Sequence, residues 1–150
     1  MLFALVLAAS LEAQFIERYF DFYPTRATEA GRADFDRRLE DLSPRRLREW
    51  RTYLEATRDK AAGAPAVGEE ASIDRETMLY AVRGELFALD VRKTPERNPL
   101  FWTGILSDAV IYFLLREDQP LADRIAALDA RAAGAQGRRT SESGPGEDAG

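Results

Sequence analysis

Any chemistry in this chain has to be done by carboxylates, guanidiniums, hydroxyls and two lysines, because its 150 residues include neither His nor Cys. That removes the commonest general base and metal ligand, every Ser-His or Cys-His pair, thiolate zinc sites and disulfides. Among the acids, Glu85 and Asp108 stand out because both sit inside apolar helical stretches. Two buried carboxylates can raise each other's pKa and share acid–base work. The plainer reading is favoured: Glu85 falls one position off the Leu86 stripe, and Asp108 faces solvent or pairs with an Arg, as structural ion pairs commonly do.

Other clusters give way to similar arguments. In DFDRRLED, Asp34, Asp36, Glu40 and Asp41 are interleaved with Arg37 and Arg38. The run lacks the Gly and the ligand spacing of a calcium loop, so solvated ion pairs are expected. Arg45, Arg46, Arg48 and Arg51 form a basic helix turn, but Glu49 and Glu55 intervene, which predicts a solvated face rather than a phosphate patch. Trp50, Phe101 and Trp102 offer an aromatic groove or, the reading preferred, core contacts. Neither a Walker pattern nor GxGxxG occurs. Ser10, Ser43, Ser72 and Ser107 have no imidazole, and neither Lys60 nor Lys93 sits in a Ser-Lys motif. The expectation is a chain with no catalytic, cofactor-binding or metal-binding residue of its own.

The elements that would hold these residues are helical. Ala, Leu, Arg and Glu dominate, and all are good helix formers. Apolar residues make up 45%, enough for one core, and the net charge of −5 argues against nucleic acid as the main partner. Leu11, Phe15, Ile16, Tyr19, Phe22 and Tyr23 follow a helical stripe that Pro24 ends. Residues 25–42 read as irregular, with a turn at Gly31 and Thr28 capping a short piece. Ser43-Pro44 starts a helix with Leu47, Trp50, Leu54 and Thr57 inward, closed by Gly63. Residues 61–72 read as a surface linker. The next helix carries Leu79, Val82, Leu86 and Leu89, with Ser72 or Asp74 as its cap. After KTPERNP, residues 100–115 are too short and too acidic at Asp108 for a membrane span and predict a central buried helix. Gln119-Pro120 opens a last helix with Leu121, Ile125, Leu128 and Ala132 on its inner face.

These elements predict an all-α fold, an irregular bundle of four to five helices over residues 10–133. Residues 134–150, rich in Gly and without large apolar side chains, are expected to be disordered. Residues 1–9 leave two readings open, a signal-peptide h-region or an extension of the first helix, so export and a cytoplasmic location both stand.

Three segments, taken in order, resemble a bacterial family, the domain-of-unknown-function family 885. FYPTRATEAGRADFDRRLEDLSP, residues 22–44, is similar to its opening pattern of Pro-Thr, Ala-Thr, Gly, aromatic-Asp, Arg-Leu and Asp-x-Ser. IDRETMLYAVRGELFALDVRKTPERNPLFW, residues 73–102, resembles its Glu-Leu helix and Asn-Pro-Leu-Phe-aromatic turn. LLREDQPLADRIAALDARAA, residues 114–133, resembles its Arg-Asp, Pro-Leu, Arg-hydrophobic helix. The resemblance implies a largely helical, often exported protein related to gluzincin-type zinc metallopeptidases. Its zinc-binding His-Glu-x-x-His helix lies downstream of the matched region, so the zinc belongs to the full-length family and none is expected here. Ala33 stands where family members often have His. On this reading the chain is an N-terminal portion, truncated, frame-shifted or naturally short, whose partner is the missing downstream catalytic region. Phe101, Trp102, Ile105, Phe113 and Leu114 would then leave an exposed apolar face and lead to self-association. The alternative is a free-standing helical protein-interaction module.

Overall fold

The structure, a computed structural model, describes residues 10–63 and 68–142, with side chains described for 10–63 and 68–134. Among the described residues there are seven α-helices, one 3₁₀ turn at Ala33–Phe35 and no strand. The all-α expectation holds, and five of the helices are long: α1 Leu11–Phe22, α3 Pro44–Gly63, α4 Glu69–Asp90, α6 Pro99–Leu115 and α7 Leu121–Glu142. Two short helices, α2 Pro24–Glu29 and α5 Thr94–Arg97, lie in stretches read as loops. No described helix is long and apolar enough to cross a membrane. The expectations placed on residues 1–9 lie outside the described residues.

The chain divides into two compact units, Met1–Tyr19 with Leu42–Pro99, and Phe20–Asp41 with Leu100–Gly150. In the first unit, α3 and α4 pack side by side, and the start of α1 joins them. Trp50 and Leu54 on α3 and Val82 on α4 are fully buried, with Phe15, Met78 and Ala61 close to it. Trp50 stacks on Tyr53 at a 5.6 Å centroid distance and lies 6.4 Å from Phe15. Its indole Nε1 donates to Glu85 Oε2 at 3.1 Å, so the polar edge of the largest core side chain is satisfied. Ser43 Oγ accepts from the Arg46 amide at 3.4 Å, in line with its expected capping role. At the other end of the pair, α4 begins at Glu69 rather than after Ser72. Gly68, with φ 98°, takes the capping position. Glu69 and Glu70 sit in the first turn, where the helix dipole favours acids, so the helix reaches back into the expected linker.

In the second unit, Pro24 ends α1 and also opens α2, since a first-turn residue needs no amide hydrogen. α2 closes in a Schellman motif: the Arg32 amide donates to Ala27 O at 2.9 Å and the Gly31 amide to Thr28 O at 3.0 Å. Gly31 has φ 85°, the left-handed conformation this motif needs. The turn at Gly31 is thus found, but Thr28 lies inside α2 instead of capping it.

Helices α6 and α7 depart most from expectation. α6 is not a buried central helix: only Ala109 and Phe113 are buried, while Leu106 is 61% and Leu114 66% exposed. A helix that is apolar all round offers no stripe to choose by, so the neighbours decide which side is covered. On α7 the inward side is Ala127 and Arg131, and the expected inner residues Leu121 and Ile125 are exposed. Arg124 explains the rotation. Its Nη1 donates to Phe113 O at 2.7 Å and also to Arg116 O, satisfying carbonyls at the end of α6 that have no helical partner. The helix continues to Glu142, past the boundary placed at Ala133. No Pro occurs between Leu121 and Pro145, and Gly134 and Gly137 cost only about 1 kcal/mol each relative to Ala. The rest of the expected disordered tail, 143–150, lies outside the described residues.

Candidate functional site

The densest polar arrangement lies inside the second unit and is built around α2. Thr25 and Thr28 lie three residues apart on that short helix, and both are buried. Glu40 Oε1 accepts from the Thr25 amide at 3.0 Å and from the Thr25 hydroxyl. This carboxylate, far along the chain, caps the first turn of α2 in place of a local side chain. Thr28 Oγ1 donates to Pro24 O at 3.2 Å and accepts from Arg131 Nη2 at 2.8 Å.

Arg131 is only 2% exposed. Its Nη1 donates to Ala109 O at 3.1 Å, its Nη2 also to Phe35 O at 3.4 Å, and its guanidinium lies 4.8 Å from the Phe113 ring centre. Burial pushes its pKa below the usual guanidinium range, and the Glu40 and Asp36 carboxylates act against that shift. Arg nevertheless stays charged in proteins. Arg116 supplies the second cation. Its Nη1 donates to Asp36 Oδ1 at 3.1 Å and to Thr28 O at 3.2 Å, and its Nε donates to Asp118 Oδ1 at 2.8 Å. The hydrogen bond it donates to Asp118, with Asp36 nearby, holds the Arg116 pKa above its usual value. Gln119 Nε2 donates to Asp36 Oδ2 at 3.4 Å.

Two carboxylates and two guanidiniums thus meet in the interior, and their formal charges cancel. Glu40 Oε2 and Arg131 Nε have no hydrogen-bond partner among the described residues. The arrangement holds α2, the 3₁₀ turn, α6 and α7 together. Its carboxylate oxygens are largely taken up by Arg and Thr donors, so it is suited to positioning rather than proton transfer.

This overturns one expectation. Asp36 and Glu40, read as members of a solvated acidic run, are 3% and 7% exposed. Arg37 and Arg38 do not neutralise them; Arg116 and Arg131 do, for Asp36 and in the field around Glu40. Asp34 does behave as expected, paired on the surface with Arg32 at 2.9 Å, which lowers its pKa. The signal for the network was present in PTRAT, whose hydroxyls recur three residues apart on one helix face, but only if that stretch is helical.

The remaining candidates have ordinary partners. Glu85, in the first unit, accepts from Trp50. Asp108, in the second, pairs with Arg26 at 3.4 Å beside Glu29 and Tyr112. Arg45 and Arg46 pair with Glu49, and Arg51 with Glu55 and with Asp90 at 3.2 Å. Arg48, Arg51 and Lys93 line a shallow cleft of about 140 Å³ with Asp90 and Glu96. Trp50 is core; Phe101 and Trp102 lie edge-to-face on α6, 5.7 Å between ring centres, with Trp102 exposed. Among the described residues no group of three or more acids is placed to hold a metal ion.

No family model matches the chain, and no curated protein or solved structure matches it. The functional reading therefore rests on the residues themselves.

Proposed function

We propose that this chain is the N-terminal helical segment of a metallopeptidase-like protein of family 885, lying ahead of the zinc-binding region and shaping the protein around it without supplying a ligand. One observation supports the reading. Of the residues that carry the first part of the resemblance, Pro24, Thr25, Ala27, Thr28, Phe35 and Asp36 are buried, while Gly31, Arg38, Leu39, Asp41 and Ser43 are not. Two of them, Thr28 and Asp36, are tied to Arg116 and Arg131, which belong to the third part. Two stretches matched by residue pattern alone are thus the two halves of one internal network, which gives the pattern a physical reason to exist.

The zinc of such a protein would be held by His and carboxylate ligands outside this chain, since an open catalytic site needs three protein ligands. The test compares the purified chain with the chain co-expressed with the polypeptide encoded downstream of it. Zinc content and mixed-peptide hydrolysis are the readouts. The chain alone is expected to bind no zinc at sub-micromolar concentration and to hydrolyse nothing, and the pair to do both. Tight zinc binding by the chain alone, chelator-sensitive turnover by it, or the lack of a His-Glu-x-x-His segment in every downstream frame would sink the reading.

A second reading, a free-standing helical interaction module, is favoured by the uncovered apolar side of α6. A stoichiometric partner retained by the isolated chain, and lost when that side is made polar, would decide for it.

A further inference from the structure

We propose that the cleft between α3, α4 and α5 binds a free amino acid with an aliphatic side chain. Every residue that lines it belongs to the first unit. Leu47 on α3, Leu89 on α4 and Pro95 on α5 supply apolar surface that the protein itself covers only in part. Arg51 and Asp90, 3.2 Å apart, tie α3 to α4 along the wall and use up one charge of each sign. Small-molecule sites join apolar surface of this kind to a few convergent polar groups.

Three charges remain in the cleft. The side chains of Arg48, Lys93 and Glu96 line it and have no ion pair or hydrogen bond among the described residues. For Arg48 the reason lies in the helix: its neighbours three and four positions away are Pro44, Arg45, Arg51 and Thr52, and none is an acid. Arg45 and Arg51 each have a Glu four residues on and pair with it. Lys93 is set by the backbone. Its φ of 48° and ψ of 49° are left-handed, and it is the one non-glycine with positive φ among the described residues. Gly or Asn would take that conformation with less strain, and strain of this kind gathers at ligand sites. A guanidinium and an ammonium together suit one carboxylate, and the lone Glu96 carboxylate suits an ammonium. A free amino acid carries both groups, and an aliphatic side chain would cover Leu47, Leu89 and Pro95. The volume, about 140 Å³, lies below the roughly 300–1,000 Å³ of sites for drug-sized ligands, so the ligand is small.

The test is a titration of the isotope-labelled full chain with L-leucine, followed by amide NMR shifts. Saturable shifts in residues 47–51 and 89–96 are expected, with a dissociation constant of roughly 1 mM or below. 4-Methylpentanoate, which lacks the ammonium, and isoamylamine, which lacks the carboxylate, should each bind roughly tenfold more weakly or worse. Arg48→Gln and Lys93→Asn should each weaken leucine binding by a similar factor. Both side chains are exposed, so helicity should not change, and Asn tolerates the left-handed turn, so Lys93→Asn should melt no lower than the parent. Glu96→Gln should bring leucine down to the affinity of 4-methylpentanoate and leave the latter unchanged. The absence of saturable shifts, shifts confined to other residues, or leucine binding indifferent to Arg48→Gln and Lys93→Asn would overturn the proposal. Equal binding of leucine and 4-methylpentanoate would overturn it too, as the mark of a bare anion site. None of these readouts involves zinc or hydrolysis, so the relation to a larger protein is decided separately.

Discussion

Arg131 Nη2 on α7 donates to the Thr28 hydroxyl on α2 at 2.8 Å, joining residues 103 positions apart. The same guanidinium reaches the carbonyls of Ala109 and Phe35, so one side chain bonds three separate elements of its unit. Removing it leaves Glu40 and Asp36 buried with less compensation. Arg131→Ala should therefore lower the unfolding free energy by about 3 kcal/mol, seen as a lower urea midpoint. Arg131→Lys should recover little of this, because a point-like ammonium cannot span acceptors set for a planar fork. A neutral result for Arg131→Ala would show that the network adds nothing to stability.

The threonines of α2 test the same network from the other side. Thr28→Val keeps the shape but removes the acceptor of Arg131, and should cost about 1–2 kcal/mol. Thr28→Ser keeps the hydroxyl and should cost less. If the two variants melt alike, the hydroxyl is irrelevant and packing alone matters at this position.

Gly31 isolates a backbone effect. A Cβ there meets nothing within 4 Å, so any penalty comes from φ 85° and not from crowding. Gly31→Ala should cost about 1 kcal/mol, and Gly31→Asn less, because Asn tolerates the left-handed region. Equal stability of the Ala variant and the parent would mean that α2 does not need this terminator.

Acid should loosen the first unit through Glu12. Arg75 hydrogen-bonds its carboxylate and holds the pKa below the usual 4.5. A depressed carboxylate stabilises the folded state above its unfolded pKa, and that share is lost as pH falls through the lower folded value. Thermal melts from pH 6 downward should show stability falling from about pH 4.5. Glu12→Gln should lose about 1 kcal/mol at neutral pH and flatten this part of the curve. An unchanged acid slope in the variant would remove Glu12 from the account.

Core truncation separates the two units. Leu54→Ala, at a fully buried position of the first unit, should cost about 2–5 kcal/mol of that unit's stability. Hydrogen exchange should place the new openings in α3 and α4. Equal loss of protection in α6 and α7 would mean that the units unfold as one.

Helix type was legible from local signals wherever they agreed. The α1 stripe, its stop at Pro24, the Ser43-Pro44 start of α3 and the Val82 side of α4 all follow from spacing, capping and proline geometry, which neighbouring residues alone control. The faces of α6 and α7 were not legible in the same way. α6 is apolar on every side, so its periodicity is silent. α7 turns inward the side that carries Arg131, because guanidinium bonds to Ala109 and Thr28 are available only once α2 and α6 are in place. The DFDRRLED run shows the same division. Its charges and its lack of a calcium loop can be read from the letters, but Asp36 is buried and Asp34 is exposed because Arg116, 80 positions from Asp36, arrives beside one and not the other. Local propensities act over a few residues and decide where helices begin and end. Desolvating a charge depends on partners that only the folded chain brings within reach.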